Sequence, residues 1–260
     1  MLAGRLRVAA LAVVLAPVVL TACTGAGATG PRAAEQTSSV AQTSPTMPVE
    51  PTASPTRSPE PLPARFRGTI APLPARLVTR MTGTTWHDGC PVGLDELRLL
   101  TLRYWGFDGV VHQGPMVTNA RVAADIVSVF RRLFHARFPI DNIHLTVKYR
   151  PDHDDPYDMR DYTASFNCRP AVTAHGPLSN WSQHAYGLAV DINPMQNPYV
   201  ASDGFIRNYH ARHYRDRSLQ LPGMIHAGDA VVHAFESIGW HWAGSWSHDK
   251  DYMHFSLTGT

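Results

Sequence analysis

One stretch decides the fold of this 260-residue chain: Ser182-Gln-His-Ala-Tyr-Gly-Leu-Ala-Val-Asp-Ile-Asn193. From Gly187 onward, apolar residues alternate with small or polar ones, which predicts a β-strand. One face carries an apolar set that belongs against a core: Leu188, Val190 and Ile192. The other face carries Asp191, and His184 lies one short turn earlier. An imidazole and a carboxylate that converge in this way predict half of a divalent metal site.

The second half of the predicted site lies in Asp249-Lys-Asp-Tyr-Met-His-Phe-Ser-Leu257. Its apolar residues alternate as a core-facing strand, so His254 points to the opposite, polar face. If the two strands are neighbours, His184, Asp191 and His254 supply three ligands. A catalytic zinc site keeps three protein ligands and a water, whereas a structural site is closed by four. Most of the 14 histidines need no such role, so the prediction rests on this convergence.

The pattern Ser-x-His-x-x-Gly-x-Ala-x-Asp, followed by Asp-x-x-His-Phe, resembles the zinc D-alanyl-D-alanine carboxypeptidase family. That family includes vancomycin-resistance carboxypeptidases and phage endolysins that cut L-alanyl-D-glutamate bonds. The resemblance covers residues 86–257. It implies that His184, Asp191 and His254 bind Zn²⁺, with a zinc-bound water as the nucleophile. It also implies that Asp251 is the general base and that Arg169 polarises the scissile carbonyl.

Each further role has a simpler alternative. Asp251 is either the base, an acid that orients a ligand histidine, or a solvated loop residue. Arg169 either steadies an oxyanion or a substrate carboxylate, or forms a surface salt bridge. Ser182 either contacts substrate or stabilises the turn before His184, and Trp242 either lines the substrate groove or belongs to the core.

Two classes of function follow from the resemblance. The first is a zinc metallopeptidase that hydrolyses bonds in peptidoglycan stem peptides. The alternative is a catalytically silent, zinc-containing cell-wall binding module of the same fold, as in the hedgehog amino-terminal domain, which resembles it. Because Asp251 and Arg169 are both present, the sequence favours the enzyme. It leaves open whether a terminal D-Ala or an internal L-Ala–D-Glu bond is cut.

The predicted fold class is α+β, with a small antiparallel sheet that carries the zinc site and packs against a few helices. Residues 99–113 predict a β-hairpin around Asp108-Gly109. Asn119 predicts the amino-terminal cap of a helix that runs to about Ala136, and residues 229–238 predict a second helix. The acidic loop at 152–161 fits either calcium or solvent, and we assign no metal to it.

The amino-terminal residues predict an export signal over residues 1–22. Arg5 and Arg7 precede the apolar run Val8–Leu20, whose 13 residues are fewer than the roughly 20 that a membrane-spanning helix needs. Leu20-Thr-Ala-Cys23 resembles the lipobox of bacterial lipoproteins, which implies diacylation of Cys23. An ordinary signal peptide is the alternative. We expect an exported protein anchored to the outer face of the bacterial cytoplasmic membrane.

Residues 23–65 predict a disordered tether. Residues 31–65 hold eight Pro and ten Ser or Thr, a composition that cannot bury enough apolar surface to fold. A tether of this kind reaches on the order of 100 Å. Every aromatic residue lies at or after Phe66, which assigns the peptidase domain to residues 66–260.

The charge balance limits the classes of partner that the sequence predicts. Without Arg5 and Arg7 the chain holds 21 basic and 21 acidic residues, so nucleic acid is not an expected partner. We expect a monomer that acts on peptidoglycan stem peptides.

Cys90 and Cys168 are an even pair in an oxidising compartment and predict a disulfide. A metal-ligand pair is the alternative, although neither residue belongs to a Cys-x-x-Cys motif.

Substitution of Cys23 tests the anchor. Cys23→Ser should move the protein from the membrane fraction to the soluble exported fraction, because both acyl chains would be attached to that residue. Fractionation followed by immunoblotting measures this, and Ser39→Ala in the tether is the control. A Cys23→Ser protein that still sediments with membranes would contradict the lipobox assignment.

Overall fold

The computed structural model describes residues 64–146, 162–173, 176–206 and 208–260. The predicted signal peptide, Cys23 and nearly all of the predicted tether lie outside these residues, as does the whole acidic loop at 152–161. Within the described ranges, no helix combines the length and the apolar character needed to span a membrane.

An antiparallel sheet forms the first half of the domain. Its strands are β1 (Gly68–Pro72), β2 (Leu97–Trp105) and β3 (Val111–Asn119), in that order across the sheet, and helix α1 (Ala75–Met81) lies between β1 and β2 in the chain. β2 and β3 form the predicted hairpin, and Gly109 takes a positive φ of 72° in its turn. The Asp108 carboxylate accepts a hydrogen bond from the Val110 amide across that turn (3.0 Å), as the Asp-Gly pattern predicts.

Helix α2 (Ala123–His135) follows this sheet and buries one apolar face. The prediction that Asn119 caps this helix is wrong, since Asn119 is the last residue of β3 and Val122 precedes the first helical residue. Asn119 instead connects the sheet to the motif segment. Its backbone amide donates to the Gly187 carbonyl (3.1 Å), and its side-chain amide donates to the Tyr186 carbonyl (3.0 Å).

The second half of the domain consists of short elements. In chain order they are β4 (Pro170–Thr173), β5 (Gly176–Trp181), a 3₁₀ turn (Gln183–Tyr186), β6 (Ala189–Asp191), β7 (Tyr199–Val200), a 3₁₀ helix (Tyr209–Arg215), α3 (Ala230–Glu236), β8 (His241–Trp242), a 3₁₀ turn (Ala243–Ser245), β9 (Lys250–Asp251) and β10 (His254–Ser256). β6, β10 and β8 form a three-stranded antiparallel sheet in that order, while β4 pairs with β5 and β7 with β9.

Helices α2 and α3 pack with both three-stranded sheets around one core. The rings of Phe235 in α3 and Phe255 in β10 stack with their centroids 4.0 Å apart. Asp229 caps α3 by accepting from the amides of Val231 and Val232 (3.0 and 3.2 Å). The predicted α+β class is confirmed, and the predicted second helix is present.

A smaller apolar cluster carries the disulfide. Leu77, Val117 and Phe166 are buried in it, and Cys168 lies among them. Cys168 is bonded to Cys90, with Cα atoms 5.9 Å apart. The predicted disulfide is therefore confirmed, and it ties the segment before β4 to the chain between α1 and β2.

Loss of this bond should destabilise the domain. The cysteines are 78 residues apart, and chain-entropy bookkeeping for such a loop gives about 4–5 kcal/mol. Cys90→Ala should therefore unfold at a clearly lower temperature, and reduction of the wild type should lower its melting temperature similarly. Thermal unfolding by circular dichroism measures both. Two freely alkylated thiols in the exported protein, by intact mass, would contradict the bond.

Candidate metal centre and active site

The pairing of β6 with β10 places two of the three predicted ligands next to each other. His254 lies directly opposite Asp191 in this antiparallel register, and Phe255 lies opposite Val190. Residues directly opposite one another project from the same face of a sheet, so His254 and Asp191 share a face. Phe255 and Val190 are fully buried on the other. The two motif strands are therefore neighbours, which is the condition that the predicted ligand set requires.

His184 reaches the same face from the turn before β6. Ser182 caps this turn, since its hydroxyl accepts a hydrogen bond from the His184 amide (3.2 Å). Gly187 ends the turn in the left-handed conformation, with φ 66°. A Cβ atom at Gly187 would also lie 2.6 Å from the Asn119 backbone nitrogen. Only glycine therefore fits there without strain, and the turn directs His184 over β6.

The three predicted ligands lie within contact distance of one another. His184 Nε2 is 3.2 Å from an Asp191 carboxylate oxygen, and His254 Nδ1 is 3.1 Å from the other. The two ring nitrogens are 3.2 Å apart. Both imidazoles are buried. The structure thus brings together the two nitrogens and the carboxylate that the motifs predict.

The hydrogen bonding of His184 suits a metal ligand. Its Nδ1 lies 2.6 Å from the Ser165 carbonyl oxygen, which fixes the proton on Nδ1 and leaves the Nε2 lone pair directed at the cluster. A backbone carbonyl in this position is a common outer partner of a ligand histidine. Two imidazole nitrogens and a carboxylate form a donor set that zinc accepts. The residues therefore fit a zinc ion.

Charge in the cluster acts strongly on Asp191. Burial alone would raise the pKa of this carboxyl, but the positive charge that His184 and His254 carry when protonated, together with their hydrogen bonds, outweighs burial and lowers the pKa well below its usual range. Asp191 is therefore ionised at neutral pH. An ionised carboxylate between two imidazoles is the form that binds a cation.

Asp251 lies in β9, the strand that precedes β10 in the chain. Burial, together with the charge of Asp191, raises the pKa of this carboxyl to about 7, although His254 and Arg169 act in the opposite direction. Its Oδ1 atom is buried and has no hydrogen-bond partner among the described residues. A cation held by the neighbouring ligands would lower this pKa, as His254 does. Asp251 therefore offers an acceptor atom beside the cluster.

Arg169 lies close enough to Asp251 for its charge to lower the pKa of that carboxyl. Its side chain is half-exposed and donates to the Pro170 carbonyl oxygen (3.2 Å). Its own carbonyl accepts from the Ser182 amide (3.2 Å). The predicted arginine therefore lies near the predicted base.

Ser182 and Trp242 have structural roles here. The Ser182 hydroxyl caps the His184 turn. Trp242 is buried against Phe255 and donates its indole N–H to the Tyr252 carbonyl (2.9 Å). Their assignment to substrate binding stays a prediction. The half-exposed Trp246, whose ring centroid is 6.3 Å from that of His254, is the tryptophan that lies against the cluster.

Sequence reasoning missed Ser165. Its contribution is a backbone carbonyl, which any residue type supplies, so no side-chain pattern could have indicated it. Neighbouring Ala164 forms a β-bridge with Asp191, and the Asn167 amide donates to the His184 carbonyl (3.0 Å). Residues 164–167 therefore flank the motif on the side away from β10.

Residues 176–257 match a family model described as D-alanyl-D-alanine carboxypeptidase. The match spans His184, Asp191, Asp251 and His254, and it confirms the predicted resemblance over that range. It supports a peptidase of the D-alanyl-D-alanine carboxypeptidase type. No curated protein and no solved structure matches the chain.

The wild-type protein should bind one zinc ion per chain. Removal of either imidazole should abolish this binding, because only two protein ligands would then remain for the ion. His184→Ala and His254→Ala proteins should therefore lose the metal. His233→Ala, at a highly exposed histidine in α3, is the matched control and should retain it. Elemental analysis after gel filtration measures zinc per chain. Full occupancy in either ligand variant would contradict the assignment.

Proposed function

We propose that this protein is a zinc-dependent peptidase that hydrolyses peptide bonds in the stem peptides of peptidoglycan. The observation that carries the proposal is the convergence of His184, Asp191 and His254 beside the buried carboxyl of Asp251. The family match over residues 176–257 supports the same reading.

His184 Nε2, His254 Nδ1 and the Asp191 carboxylate would hold the ion. A zinc ion bound there supplies Lewis-acid chemistry, in which it polarises the scissile carbonyl and makes water more acidic. Ser165 keeps His184 in the required tautomer through its carbonyl oxygen. The ligand residues therefore enter the reaction already oriented.

Asp251 takes the proton of the attacking water. A general base works best when its pKa lies near the pH of the reaction, and burial raises the pKa of Asp251 towards that range. The same carboxyl then returns the proton to the leaving amine nitrogen. Arg169 donates hydrogen bonds to the oxygen that gains negative charge as the carbonyl is attacked.

The second candidate is a silent binding module that keeps the ligands and has no activity. Its expected signature is the loss of the groups that move protons and stabilise charge. This chain keeps both Asp251 and Arg169 near the cluster, which favours the peptidase.

Location and substrate belong to the same proposal. A diacylated Cys23 would hold the protein at the outer face of the membrane. The Pro-, Ser- and Thr-rich segment would let the domain reach peptidoglycan beyond the membrane surface. Stem peptides are the substrate that suits this location and the family match.

Incubation of the purified protein with muropeptides, followed by mass spectrometry, tests the function. A carboxypeptidase would convert pentapeptide stems to tetrapeptides with release of D-Ala. An endopeptidase acting between L-Ala and D-Glu would separate the stem after its first residue. If neither product forms with zinc-loaded protein, the peptidase proposal fails and the binding module is favoured.

Asp251→Asn separates the base from the ligands. The amide cannot accept a proton, so turnover should fall by about a hundredfold or more, while zinc content stays at the wild-type level. Asp216→Asn, at an exposed acid in the same half of the domain, is the control. Loss of zinc together with activity would instead make Asp251 a ligand or its support, and near-normal turnover would remove it from the mechanism.

A further inference from the structure

The segment that carries Asp251 and His254 has little regular structure of its own. β9 has two residues and β10 has three. β9 pairs only with β7 among the described strands, with Asp251 opposite Tyr199. The Tyr252 amide donates to the Pro198 carbonyl (3.4 Å). The position of Asp251 therefore depends on the loop around residues 196–200.

That loop is held from inside by Asn197, which is fully buried. Its side-chain amide donates to the Gly223 carbonyl (2.8 Å), and its side-chain oxygen accepts from the Ile225 amide (2.8 Å). The same oxygen accepts a hydrogen bond from Arg217 Nη2 (3.2 Å).

Arg217 joins this loop to the site segment. Its guanidinium donates to the backbone carbonyls of Gln196 (2.8 Å), Tyr214 (3.1 Å) and Ile225 (2.7 Å). The same group lies over the ring of Tyr252, with its central carbon 4.2 Å from the ring centroid. Tyr252 is the residue between Asp251 and Met253. One side chain thus contacts both the loop that pairs with β9 and the residue next to Asp251.

No carboxylate among the described residues forms an ion pair with Arg217, although the charge of Asp229 acts on it. The guanidinium itself contacts carbonyl oxygens and an aromatic ring. The arginine guanidinium is planar and has five N–H donors, so it can donate to four acceptor atoms and stack on an aromatic ring at the same time. A lysine ammonium cannot do both. An ordinary surface arginine needs none of these contacts. Because these contacts join the loop at residues 196–197 to Tyr252, they indicate a specific role.

We propose that Arg217 is a positioning residue, which sets the place of Asp251 and His254 through Tyr252 and the loop at residues 196–197. None of its contacts described above is to His184, Asp191 or His254. Its effect on turnover rests on the proposed function, whereas its effect on metal affinity does not. Outer groups of this kind commonly change metal affinity or activity by about 10–100-fold.

The test uses full-length Arg217→Lys and Tyr252→Leu proteins, the second of which removes the ring and keeps an apolar side chain. Arg212→Lys is the matched control, because Arg212 also lies over a tyrosine ring, that of exposed Tyr209 (5.1 Å). Zinc affinity is measured by competition with a chromophoric chelator at a temperature where each protein is folded. Turnover is measured on the muropeptide that the wild type cleaves.

We expect both test variants to bind zinc about tenfold more weakly. We also expect kcat to fall by about tenfold, with KM unchanged, because substrate contacts are intact. Arg212→Lys should match the wild type. If Arg217→Lys does not fold, Tyr252→Leu decides. A lower melting temperature with wild-type zinc affinity and kcat would overturn the proposal, as would equal losses in Arg212→Lys.

The two proposals fail separately. If the wild type binds zinc but cleaves no muropeptide, the proposed function fails, and the chelator competition still decides the role of Arg217. If the wild type cleaves muropeptides and both test variants equal it in zinc affinity and kcat, the peptidase stands and Arg217 has no positioning role.

Discussion

Everything at this site depends on the antiparallel pairing of two three-residue strands, β6 and β10. That register places His254 opposite Asp191, although the two are 63 residues apart in the chain. A shift by one residue would turn His254 towards the core and Phe255 towards the ligands. The stack of Phe255 on Phe235 and the burial of Val190 oppose such a shift. The apolar core thus specifies the geometry of the polar face.

Support for the site comes from two directions. On one side, residues 164–167 run alongside β6, and the carbonyl of Ser165 accepts a hydrogen bond from His184. On the other, the loop paired with β9 holds Asp251. The Cys90–Cys168 bond and Arg217 lie one step further out on these two sides. The elements that bear the chemistry are short, and much of their support is backbone hydrogen bonding from segments distant in sequence.

The sequence predicted what local alternation controls. Alternating apolar residues placed His254 and Asp191 on polar faces, because this follows from the periodicity of a strand. The Asp-Gly pair placed the hairpin turn, because glycine readily takes the positive φ that the turn needs. Asn119 was misassigned, since an Asn before an apolar run suits a helix cap and the end of a strand equally well. Ser165 and Arg217 could not be predicted, because a carbonyl and a guanidinium bound to carbonyls leave no side-chain pattern. The roles of Ser182 and Trp242 in substrate binding remain predictions.

The mutual approach of two imidazoles and a carboxylate also has a thermodynamic consequence. A ligand that binds the folded chain alone adds to the free energy of unfolding by an amount that grows with the logarithm of its concentration, about 1.4 kcal/mol for each tenfold excess over its dissociation constant. A chain that gathers its donors from residues 184 to 254 offers no such set when unfolded. If zinc binds there as proposed, resistance of the chain to proteolysis would therefore rise with the zinc concentration around it.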